Sequence, residues 1–169
     1  MKTNTQKLVI TSMFAALACI ATLTIKIMLP PPLKGYINLG DCIVLLSGWL
    51  LSPFYGFIAA GFGSAMADVF LGYTIYAPVT FAVKGVMALV AYFVYKGMSG
   101  TVGNMISKII GGVIAEALMV LGYYVFEGFM YGFIPSVANM PFNAIQGAAG
   151  LIAGLILVNI FEKAKIKIN

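Results

Sequence analysis

The chain has 169 residues, of which 62% are hydrophobic and 9% charged, with a net charge of +5 and a mean hydropathy of +1.02. Soluble domains carry roughly a quarter charged residues, so this composition excludes an ordinary water-facing surface and reads as an integral membrane protein. Histidine and arginine are absent, which excludes imidazole catalysis and a histidine-bearing zinc site.

The lysines gather at the chain ends and between apolar runs, so they read as topology signals and not as a nucleic-acid surface. A bilayer core of ~30 Å takes about 20 helical residues. Runs of that kind cover 8–29, 53–72, 76–95, 102–126 and 141–161. A sixth run, 37–52, is shorter and begins polar. Lys2 and Lys7 precede the first run, and Lys163, Lys165 and Lys167 follow the last, which predicts both termini in the cytoplasm and therefore an even span count. The fold class expected is all-α: one domain over residues 1–169 with six transmembrane helices, the second short. The first run is too long for a secretory signal and is followed by "LPPPLKG", without a small-residue cleavage site, so it is expected to be retained. Lys26 near its outer end can snorkel. The outer connections are then 30–40, 72–76 and 127–140. Cys19 falls deep in the first run and Cys42 near a surface, too far apart in depth to pair, so both read as packing residues.

Small residues recur four apart in the third run (Gly56, Ala60, Ser64, with Ala59, Gly63 and Ala67 beside them) and as Gly150 and Gly154 in the sixth. That spacing predicts close helix contacts. A charge at mid-membrane costs at least ~2.5–3.5 kcal/mol, so each one asks for a reason. Asp68 lies about one turn below the outer end of the third span, and Lys84 about two turns below that of the fourth. They read either as an ion pair locking the hairpin or as groups facing a cavity open to the outside. Tyr76, Thr80 and Lys84 at i, i+4, i+8 would line such a cavity. Glu116 lies near the middle of the fifth span on the face of Tyr123, as a ligand contact or as a carboxyl satisfied by a neighbouring hydroxyl. Asn139, Asn143 and Gln146 share one face at the start of the sixth span. Tyr36, Asn38, Tyr73 and "EGFMYGFIP" (127–135) sit at the outer level, as an interfacial belt or as a lid over a flat ligand. The polar groups all fall in the outer half, which suits capture from outside.

The chain has no phosphate loop, so it carries no ATPase site of that kind. The stretch 35–93, "GYINLGDCIVLLSGWLLSPFYGFIAAGFGSAMADVFLGYTIYAPVTFAVKGVMALVAYF", resembles the substrate-binding S components of energy-coupling factor (ECF) vitamin transporters. It shares a Gly-Asp loop, a Pro-x-x-Gly turn, a span ending in Ala-Asp, and Lys-Gly within the fourth span; the six-span layout extends the resemblance over the whole chain. The resemblance implies a subunit in a bacterial cell membrane that binds a small water-soluble vitamin or precursor from outside. It also implies a transmembrane T component and two ATPase subunits as partners, with ATP used by them and no cofactor in this chain. The family's docking face, small residues four apart on the first span, corresponds here to Thr11, Ala15 and Cys19, with Ser12 and Ala16 beside them. Its pocket, the first outer loop and the outer halves of spans four to six, corresponds to Lys84, Glu116 and Asn143.

Two other classes remain open at this point. A stand-alone secondary carrier would take up solute without partners, although no internal repeat supports it. A membrane enzyme would have to use Asp68, Glu116 or Lys84. Among vitamins, a cation, carboxylates, amides and tyrosines point toward a vitamin B6 form or hydroxymethylpyrimidine, with pantothenate and riboflavin open.

Overall fold

The computed structural model describes residues 3–29 and 35–164. Lys2, Lys165, Lys167 and residues 30–34 of the first outer connection lie outside the described residues.

Helix α1 (Asn4–Thr24) opens on a capping box. The Gln6 N–H donates to the Thr3 hydroxyl and the Thr3 N–H to the Gln6 side chain, so two donors of the first turn are satisfied. The expected first span of 8–29 stops at Thr24. Beyond it, β1 (Lys26–Met28) pairs antiparallel with β2 (Tyr36–Asn38), Lys26 opposite Asn38. The sequence here pairs between strands across a loop, a long-range choice that apolar run length does not report.

The second run also begins later than expected, as α2 (Asp41–Leu50). Ten residues rise only ~15 Å, about half a bilayer core. Asp41 through Trp49 are all buried, as expected of a helix that is apolar all round and wrapped by others. Helix α3 (Pro53–Phe70) starts on a proline, whose missing N–H costs nothing in a first turn. Helices α4 (Ala77–Val102) and α5 (Asn104–Tyr131) run past the expected ends at 95 and 126. They stop only at Gly103 and Gly132, both with φ in the left-handed region that glycine adopts freely. A short α6 (Phe133–Ser136) and a 3₁₀ turn (Val137–Asn139) lead into α7 (Met140–Lys163).

Among the described residues, four helical stretches are long and apolar enough to cross a membrane: α1, α4, α5 and the run Phe133–Lys163. Helix α4 packs between α3 and α5, α1 packs on α3, and α2 contacts α4 and α7. The small-residue stripes mark the closest approaches. A Cβ on Gly63 would stand 2.3 Å from the Ala15 carbonyl oxygen, and one on Gly150 would stand 2.6 Å from the Asp41 Cβ. Gly150 thus lets α7 press against the first turn of α2, which brings Asp41 to the centre of the molecule.

Candidate functional site

A cleft of about 540 Å³, its open mouth included, lies at the end of the molecule that carries the β-hairpin. The hairpin region contributes Leu29, Gly35, Tyr36 and Asn38, and α1 contributes Thr22. Ser64 and Asp68 come from α3, Tyr73 from the following turn, and Tyr76, Thr80 and Lys84 from α4. Tyr123 and Glu127 come from α5, Asn143 and Gln146 from α7. The i, i+4, i+8 stripe of α4 therefore does run along one wall.

Lys84 does not pair with Asp68. Its ammonium donates to Asp41 Oδ1, and both side chains are buried. The reason is positional: Asp41 opens α2, where the helix N-terminus favours a carboxylate, and α2 is packed directly on α4. Gln146 Nε2 donates to Asp41 Oδ2 at 2.6 Å. Gln146 Oε1 in turn accepts from the Asn38 N–H at 2.9 Å and from Asn38 Nδ2 at 3.2 Å. The Asn38 side-chain Oδ1 accepts from the Gly40 N–H at 2.8 Å. One continuous network thus ties α4, α2, α7 and the hairpin. The Lys84 ammonium also stands 5.5 Å from the Tyr123 ring centroid, within cation–π range.

Asp68 belongs instead to the α3 wall. The Tyr36 hydroxyl donates to Asp68 Oδ1 at 2.5 Å. Burial, reinforced by that carboxylate, pushes the Tyr36 phenol well above its ordinary pKa, so it stays a donor. Asp68 Oδ2 and the neighbouring Ser64 Oγ are buried without a hydrogen-bond partner. Thr80 and Tyr123 share a hydrogen bond at 3.0 Å. At the mouth, rings follow one another: Tyr36 to Tyr73 at 5.3 Å, Tyr73 to Tyr76 at 6.0 Å, Tyr76 to Phe126 at 5.1 Å.

Two expected site residues stand apart from the cleft lining. Glu116 is buried against α7, where a Cβ on Gly147 would lie 2.9 Å from its Oε2; neither of its oxygens has a hydrogen-bond partner. The missing side chain at Gly147 leaves the Glu116 carboxylate room against α7. Asn139 precedes α7 and donates from Nδ2 to Glu127 Oε2 at 2.8 Å. Asp41, Ser64 and Glu127 were not singled out as site residues from the sequence. Asp41 carries a signal in the Gly-Asp pair, whereas Glu127 falls in the expected 127–140 connection and the structure keeps it in α5, which continues to Tyr131.

On the far side of α3, Thr11, Ser12, Ala15, Ala16 and Cys19 line an apolar groove of about 990 Å³ between α1 and α3, together with Phe62 and Met66.

The family model for the ECF-type riboflavin transporter S component matches residues 2–163. An uncharacterized protein of Pyrococcus woesei is 32% identical over 144 residues, covering 85% of this chain and 93% of that protein. A solved structure, described as the S component of a bacterial ECF transporter, aligns with a TM-score of 0.78 over 97% of this chain and 99% of that one, at 23% identity. The last likeness bears on the fold alone.

Proposed function

This chain belongs to the ECF-type riboflavin transporter S-component family, and on that footing we propose that it captures riboflavin at the outer face of the cell membrane. It is a multi-pass membrane protein and a substrate-binding subunit of an ECF transporter. The further reading is of six crossings with both termini in the cytoplasm, α2 being a short crossing buried among the others. Lys7 and Lys163 support it, since both lie at the ends of helices whose other ends approach the cleft. Uptake would be completed by a T component and two ATPase subunits that hydrolyse ATP, with no cofactor in this chain.

The observation that carries the substrate reading is the cleft itself. Four tyrosines (Tyr36, Tyr73, Tyr76, Tyr123) offer faces to a flat ring system, while Lys84, Asn143 and Gln146 offer donors at one end. An isoalloxazine has a broad aromatic face and an edge of carbonyls that accepts hydrogen bonds. The cation, amides and tyrosines that pointed toward a vitamin B6 form or hydroxymethylpyrimidine suit a flavin equally, and the family description adds weight to the flavin.

The test is calorimetric titration of the detergent-solubilised protein with riboflavin, pyridoxine, hydroxymethylpyrimidine and pantothenate. The expected outcome is one-to-one binding of riboflavin, with quenching of flavin fluorescence. Saturable binding of pyridoxine or hydroxymethylpyrimidine in its place would replace the substrate. Ion-driven uptake into vesicles holding this protein alone would replace the ECF reading with a secondary carrier.

A further inference from the structure

The α3 wall of the cleft holds polar atoms with nothing to bind. Ser64 and Asp68 are one turn apart on one face of α3, both buried and both lining the cleft. Ser64 Oγ and Asp68 Oδ2 have no hydrogen-bond partner. A buried carboxylate oxygen left unpaired is costly, and the surrounding groups are already engaged. The other carboxylate oxygen of Asp68 is held by Tyr36, Lys84 is taken by Asp41, and the Thr80 hydroxyl, which shares a hydrogen bond with Tyr123, stands beside the Asp68 carboxylate without closing a bond to Oδ2. What the wall lacks is therefore a donor for Asp68 and a partner for Ser64, both arriving from the cleft.

We propose that Ser64 and Asp68 form a subsite for a hydroxylated chain. A ligand hydroxyl donates to Asp68 Oδ2, and a neighbouring one pairs with Ser64 Oγ. The surroundings suit such a chain, because Tyr36, Thr80 and Tyr123 add further hydroxyls along the same cleft. The proposal rests on the flavin reading above: the ribityl chain lies along α3, and the ring system occupies the tyrosine-lined side toward Lys84. It assigns to α3 a binding role outside the loop and the spans four to six to which the resemblance confines the pocket.

The experiment compares riboflavin with lumiflavin, which has the same ring system without the hydroxylated chain. Titrations use the full-length protein, Asp68→Asn and Ser64→Ala. The wild type is expected to prefer riboflavin. Asp68→Asn, which keeps an acceptor for Tyr36, should lower riboflavin affinity about tenfold, and Ser64→Ala about threefold. Lumiflavin affinity should change by less than about twofold in both. Ser64→Ala removes one buried oxygen that bonds nothing in the fold, so it keeps the test readable should Asp68→Asn fold poorly. Equal losses on both flavins, or no loss on riboflavin, would overturn the subsite while leaving the flavin reading intact. A folded wild type that binds neither flavin would overturn the flavin reading and this assignment together.

Discussion

Among the described residues, two buried lysines pair with carboxylates, one at each end of the molecule, and the pairs differ in what surrounds the carboxylate. At the cleft end, which the proposed orientation makes the outer one, Lys84 meets Asp41, both are shut away from solvent, and Gln146 and Asn38 extend the contact to an open cleft. At the inner end, Lys108 of α5 donates to Glu162 of α7 and stands 4.8 Å from the Tyr95 ring centroid, while Glu162 is 43% exposed. The inner pair joins α5 to α7 and ends in a carboxylate that reaches solvent. The outer pair is the floor of a cavity whose walls carry unpaired polar atoms. The same two residue types thus serve packing at one end and recognition at the other. What distinguishes them is the state of the neighbouring groups, not burial of the lysine.

The largest effect is expected from the outer pair. Lys84→Met leaves Asp41 charged and buried without its partner, which costs about 3–5 kcal/mol, and riboflavin binding should fall at least a hundredfold. Asp41→Asn combined with Lys84→Met removes both charges at similar volume and should regain most of the lost stability. It should not regain binding. Thermal unfolding in detergent and flavin titration read the two quantities separately. A double variant that binds like the wild type would reduce the outer pair to a structural lock and erase the contrast between the ends.

A smaller effect is expected at the inner end. Lys108→Met leaves Glu162 half in solvent, where a lone carboxylate is tolerated, so the loss should be about 1–2 kcal/mol. Riboflavin affinity should stay within about twofold of wild type. A tenfold fall in affinity would mean that the two ends are coupled through α5 and α7, and the contrast would fail from the other side.

The sequence showed this contrast unevenly. The α4 stripe of Tyr76, Thr80 and Lys84 was legible because helical spacing is local, and the structure does place all three on the cleft. The partner of Lys84 was not. Asp68 is 16 residues away across a short turn and looks adjacent, whereas Asp41 is 43 residues away and reaches Lys84 because α2 packs directly on α4, where Gly48 lets the two helices close in. Lys108 carries no such signal, because a lysine near the start of a span reads as an interfacial charge. Apolar runs located the helices, yet their ends moved at Thr24, Val102 and Tyr131, where a strand pairing or a left-handed glycine decides and hydropathy does not.

The smallest effect sharpens the comparison at the mouth of the cleft. Glu127, in the last turns of α5, accepts from Asn139 Nδ2 at 2.8 Å and from the Tyr76 hydroxyl at 3.5 Å. It joins the start of α4 to the turn before α7. Glu127→Gln keeps a carbonyl oxygen for Asn139, and its amide can donate to the Tyr76 hydroxyl, so only the charge is lost. Charge-assisted bonds are roughly twice as strong as neutral ones, which sets the expected loss at about 1 kcal/mol. Glu127→Ala withdraws both acceptors and should cost about 1–3 kcal/mol, with riboflavin dissociating several-fold faster as the mouth loosens. If Glu127 were only a strut like Glu162, both variants would lower the unfolding temperature and leave the dissociation rate untouched. A faster dissociation that tracks the loss of the acceptors, larger for Ala than for Gln, would instead place Glu127 with the outer pair, as part of what retains the ligand.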